Sequence, residues 1–117
     1  MTDTSKPFAV ELDRSGAHLT VYVSGELDPA TSPDFADQVR AGIDSTVVAV
    51  ALDMSEVTFC DSSGLAALLG VRSCAENVGA TVRLLDPTPQ LRRVLKLTGL
   101  DHALQVAGRV ALAIDPV

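Results

Sequence analysis

The chain has 117 residues, 47% apolar and 21% charged, a length and balance suited to one globular domain and unlike a disordered segment. Nine Lys plus Arg against fifteen Asp plus Glu leave a net charge of −6, which argues against a nucleic-acid binder or a protein docked on anionic lipid, since both need clustered positive charge. No apolar run approaches the roughly 18 residues of a membrane span, and residues 1–7 lack the basic start and apolar stretch of a signal peptide, so a cytoplasmic domain over 1–117 is expected, with residues 1–6 as a disordered tail.

Phe8-Ala9-Val10-Glu11-Leu12 alternates with a period of two and reads as a strand. Asp13-Arg14-Ser15-Gly16 is a turn, and Ala17 to Ser24 alternates again with Leu19, Val21 and Val23 on one face, giving a hairpin. Gly25-Glu26-Leu27-Asp28-Pro29 then breaks the strand. A helix carrying Phe35, Ala36, Val39 and Ile43 follows. Asp28 is one possible cap, with Pro29 at the first position, but Pro33 would then remove a bond inside the helix; Ser32 as cap with Pro33 first avoids this.

Val47 to Leu52 is a continuous apolar run, as expected of a central parallel strand covered on at least one face. Asp53 to Thr58 is expected to be a loop. Phe59-Cys60 leads into Asp61-Ser62-Ser63-Gly64, and Leu65, Leu68, Leu69 and Ala75 mark a second helix that stops near Gly79. Thr81 to Leu85 is a strand. Thr88-Pro89 opens a third helix with Leu91, Val94 and Leu95 inward and Gly99 as its stop. Leu104-Gln105-Val106 is a short strand, and Val110 to Ile114 a terminal turn of helix. The order β-β-α-β-α-β-α-β predicts a mixed, mostly parallel sheet of four or five strands with an N-terminal hairpin and three or four helices.

The cysteines and histidines do not suggest a metal or redox site. Cys60, Cys74, His18 and His102 show no ligand spacing. A helix from Ser62 would carry Cys74 roughly 18 Å from Cys60, too far for a disulfide. Both are read as reduced, and a lowered thiol pKa at Cys60 has no support. His18 shares a strand face with Thr20 and Tyr22 and reads as a surface residue. No cofactor and no metal are expected.

Two segments could carry chemistry. Asp61-Ser62-Ser63-Gly64 puts a carboxylate and two hydroxyls between an apolar strand and an apolar helix, at the carboxyl edge of the sheet where ligand sites gather. Free N–H groups and the helix dipole favour an anion there, so a phosphoryl group on Ser62 would find a receptive spot. The plainer reading is a helix cap. Gly25-Glu26-Leu27-Asp28 also leaves a strand for a helix. It reads either as a capped turn or as part of the same surface.

These two motifs together, with the hairpin, the Val47–Leu52 strand and Thr98-Gly99-Leu100, resemble the STAS-domain anti-sigma factor antagonists of bacteria. The resemblance implies that Ser62, the first hydroxyl after the motif aspartate, is a phosphate acceptor. It also implies that Glu26, Asp28, Asp61, Ser62, Ser63 and Gly64 face a partner. That partner is an anti-sigma factor that is also an ATP-dependent serine kinase; binding it frees a sigma factor, phosphorylation ends the binding, and a serine phosphatase restores it. The antagonist is not itself an enzyme. Cys60, Ala66 and Pro33 depart from the usual pattern and bear on the shape of the partner face. The same resemblance admits a STAS subunit of a transporter or stress-signalling scaffold. A serine hydrolase is disfavoured because the G-x-S-x-G elbow is absent. A phosphoacceptor receiver domain is disfavoured because no acidic pair follows the first strand.

Overall fold

The computed structural model describes residues 7–107. β1 (Ala9–Ser15) and β2 (His18–Leu27) form the expected antiparallel hairpin, turning at Gly16. Leu19, Val21, Val23 and Leu27 of β2 are buried on one face, while His18 and Tyr22 stand exposed on the other.

β2 runs through Leu27 and is not broken at Gly25. Gly25 has φ +92°, and a Cβ there would lie 2.7 Å from Phe8 Cα. The glycine is required because the chain entering β1 crosses directly over it, in a backbone conformation that other residues adopt only at a cost.

α1 (Ser32–Ala41) has Thr31 at its N-cap position and Pro33 in its first turn, where the missing N–H leaves no bond unmade. The start therefore lies one residue before the expected Ser32 cap. Asp28 belongs to the preceding turn: its Oδ1 accepts from the N–H groups of Ala30 (2.9 Å) and Thr31 (3.0 Å).

β3 (Ala49–Cys60) is the main departure from expectation, since residues 53–58 are strand and not loop. β3 lies parallel to β2, and twice it carries one residue more than its partner. Tyr22 and Ser24 face Asp53 and Glu56, and Gly25 and Glu26 face Val57 and Phe59. Each bulge turns the following residues over. The buried positions consequently run Leu52, Met54, Val57 and Cys60, without the regular two-residue alternation of a strand. Asp53 is itself buried, and its Oδ1 accepts from the N–H and hydroxyl of Ser55.

α2 (Ser62–Asn77), β4 (Thr81–Leu85) and α3 (Pro89–Thr98) follow as expected, with Gly79 and Gly99 at positive φ after the helices. α4 (Leu100–Ala103) is a single further turn, and Gln105 at φ +47° displaces the last strand to β5 (Val106–Ala107). The helical turn expected at Val110–Ile114 lies outside the described residues.

The sheet order is β1-β2-β3-β4-β5, parallel except for β1. Neighbouring parallel strands joined in sequence order by right-handed crossovers place every helix on the same face. That face holds the core of Leu19, Val21, Phe35, Val39, Leu52, Leu68, Leu84, Leu91 and Leu95. Among the described residues, His18 and Tyr22 stand exposed on the other face, and a hollow at its amino-terminal end is lined by His18, Thr20, Ala49, Ala51, Thr81 and Arg83. Among the described residues, no helix is long and apolar enough to cross a membrane.

Gly25→Ala is expected to destabilise the fold by about 2 kcal/mol, combining the strain of positive φ with the contact at Phe8. Urea unfolding checks this; an unchanged midpoint would contradict the crossing of Phe8 over Gly25.

Candidate functional site

The turns leaving β2 and β3 meet at the carboxyl edge of the sheet. Backbone contact joins them: Asp61 N–H donates to Leu27 C=O at 3.2 Å. Gly64 makes the approach possible. A Cβ on it would lie 2.6 Å from Cys60 Sγ and 2.8 Å from Leu27 Cβ, so only glycine lets the first turn of α2 settle over both strand ends. Ser32 Oγ at the start of α1 and Ser63 Oγ at the start of α2 are 3.5 Å apart. The two sequence motifs therefore form one surface.

Asp61 is the N-cap of α2. Its Oδ1 accepts from Ser63 N–H (2.9 Å), Gly64 N–H (3.2 Å) and the Ser63 hydroxyl (2.5 Å). Those bonds, led by the Ser63 hydroxyl and helped by the two backbone N–H groups, hold its carboxyl below the usual range despite some desolvation. Two N–H groups of the expected anion-receptive helix end, those of Ser63 and Gly64, are thus taken by the cap carboxylate.

The two serines differ sharply. Ser63 is half-buried and its hydroxyl is committed to Asp61. Ser62 is exposed, and among the described residues its hydroxyl has no hydrogen-bond partner. Glu26, near the end of β2, is exposed, and Asp28, in the turn that follows, is half-exposed. Phe59, register partner of Glu26, is 40% exposed. A shallow groove runs from Ser63 between α1 and α2, lined by Ser32, Ala36, Arg40, Ala66 and Ala67.

Cys60 is buried under this turn. Burial, and to a lesser degree the charge of Asp61, push its thiol up to about 12. Cys60 and Cys74 are both free thiols. Among the described residues, no group of three or more His, Cys, Asp or Glu could hold a metal ion.

Ser32, Phe59 and Gln90 belong to this region and were not singled out as site residues from the sequence. Ser32 reads there only as a helix cap. Phe59 reads there only as the residue that follows a loop and leads into the Asp61 turn. Gln90 reaches the site across the fold, where its side-chain amide meets the Cys60 peptide.

The profile of the family described as Mlab, STAS domain, matches residues 10–109. An anti-sigma F factor antagonist of Paenibacillus polymyxa is 31% identical over 96 residues, covering 78% of this chain and 79% of that protein. The crystal structure of an anti-sigma factor antagonist from Mycobacterium paratuberculosis superposes with a TM-score of 0.76 at 27% identity, covering 87% of this chain and 88% of that one. The anti-sigma factor antagonist SpoIIAA in its unphosphorylated form shares the fold, with a TM-score of 0.75 at 24% identity over 90% of this chain and 93% of that one.

Two outcomes are expected from the geometry. Because the folded pKa of Asp61 lies below its unfolded value near 3.9, the unfolded state binds more protons between the two. The stability from this cap is fully present above about pH 4 and is lost as the pH falls through the folded pKa. In acid titrations followed by unfolding, Asp61→Asn should flatten that loss; an unchanged acid profile would contradict the cap. Cys60 should stay unmodified by a thiol reagent at pH 8 in the native protein and react only on unfolding, with peptide mapping to separate it from Cys74.

Proposed function

This chain belongs to the STAS-domain family, and from that premise we propose that it is an anti-sigma factor antagonist whose docking is switched by phosphorylation of Ser62. The observation that carries the reading is the exposed, unpartnered Ser62 hydroxyl on the surface where the two turns join. Relatives named anti-sigma factor antagonists support the general role.

The unmodified chain docks an anti-sigma factor through Glu26, Asp28, Asp61, Ser62, Ser63 and Gly64, with Phe59 supplying an apolar element of the kind that anchors interfaces. Docking removes the anti-sigma factor from its sigma factor. The anti-sigma factor is also a serine kinase, and the docked Ser62 is its substrate. Ser62 Oγ bonds to the γ-phosphorus of ATP, the bridging oxygen leaves with ADP, and the hydroxyl proton passes to a base of the kinase. A serine phosphatase reverses the state by hydrolysis.

The switch is electrostatic. A phosphoryl group adds about −1.5 to −2 charge near neutral pH. It stands beside Asp61, whose carboxylate already holds the nearby N–H groups, on a chain of net charge −6. Inside a docked interface the new charge costs desolvation and meets like charge. A loss of about 3 kcal/mol weakens binding roughly 150-fold. Nothing in the fold needs to move, since Ser62 faces outward.

Titration calorimetry with the anti-sigma factor checks this. Ser62→Asp should bind about 100-fold more weakly than the wild type, and Ser62→Ala should bind as tightly as the wild type while accepting no phosphate. Equal affinity for all three chains would refute the electrostatic switch. Recovery of a transporter ATPase in place of an ATP-binding anti-sigma factor in a pull-down would redirect the reading to a transporter subunit.

A further inference from the structure

At its carboxyl end β3 outruns its neighbour. β4 pairs with β3 only as far as Asp53 and Leu85, so the last residues of β3 have no β4 partner. In a strand, the N–H and C=O of one residue point to the same side, and those of the next residue to the other. Asp61 N–H turns toward β2 and reaches Leu27 C=O. The N–H and C=O of Cys60 turn the opposite way, to the side that β4 has left.

Gln90, in the first turn of α3, fills that place. Its Oε1 accepts from Cys60 N–H at 3.1 Å, and its Nε2 donates to Cys60 C=O at 3.2 Å. A primary amide presents the same donor and acceptor as a peptide, so one side chain does the work of a missing strand residue. Cys60 is thereby held on three sides: by Gln90, by its β2 partner Leu27, and by α2 packing over its sulfur at Gly64. The next two residues are Asp61 and Ser62.

We propose that Gln90 is a positioning residue for phosphoryl transfer to Ser62, an inference that rests on the function proposed above. Gln90 touches neither ATP nor the acceptor. It fixes the strand end from which the acceptor projects, so that after docking the Ser62 oxygen stands in line with the γ-phosphorus. Transfer rates depend steeply on such placement, whereas docking draws on a wider surface and tolerates small shifts. Losing the clamp should therefore slow transfer more than it weakens docking.

The test uses the full chain with ATP and an anti-sigma factor kinase that modifies the wild type. Gln90→Met keeps the unbranched stem and loses both bonds; Gln90→Leu is the second variant should the first fail to fold. At saturating chain, kcat for Ser62 phosphorylation should fall about tenfold, the effect of losing one or two ordinary peptide hydrogen bonds. KM should stay within about twofold. Hydrogen exchange of the free variant should quicken about tenfold at residues 60–63 while Val50 and Leu52 keep their protection, a local pattern that a general loss of stability would not produce. Wild-type kcat in the variant, or exchange rising evenly through the chain, would overturn the inference and leave the proposed function standing. If no anti-sigma factor kinase modifies wild-type Ser62, the proposed function is overturned, and this inference with it.

Discussion

The site depends on one close approach: the peptide of Asp61 on the carbonyl of Leu27, with no side chain on Gly64 to hold the helix off. It brings together two turns that lie far apart in the chain. Without it each would be an ordinary strand-to-helix connection with its own cap. With it, the start of α2 rests on the ends of β2 and β3. The twin bulges in β3 take up two extra residues along β2 and bring Cys60 into register with Leu27, where the two strands end together.

The charges at this junction divide the tasks among neighbouring residues. Asp61 satisfies the helix N–H groups and restrains Ser63, which leaves Ser62 as the hydroxyl without an internal role. On the proposed reading, a phosphate there would meet Ser63 and Gly64 N–H groups already taken by Asp61, and its charge would act outward against the docked partner. A vacant helix end would instead have attracted the phosphate and stabilised the modified state within the chain.

Much of this was readable from residue order. The apolar run Val47 to Leu52 marks a strand, which in the structure starts at Ala49 with Val50 and Leu52 buried while Val48 stays exposed, and Thr88-Pro89 and Gly99 bracket a helix through local chemistry alone. The turn at Asp61 could be read as both cap and surface for the same reason. The second half of β3 could not: its buried residues fall at Leu52, Met54, Val57 and Cys60, a spacing that local rules assign to neither strand nor helix. The two bulges that create it are a property of pairing with β2. The extension of β2 past Gly25 was hidden likewise, because the glycine answers to Phe8, seventeen positions earlier. Gln90 lay further beyond reach. Nothing near it in the chain signals that its amide completes a strand thirty positions away.

The most direct measurement of the central claim is the intact mass of the chain after incubation with ATP and the anti-sigma factor kinase, followed by mapping of the modified peptide. A single phosphoryl group on Ser62, with Ser63 and Ser32 untouched, is what the account predicts. Modification at Ser63, at Ser32 or at no serine of this surface would contradict it.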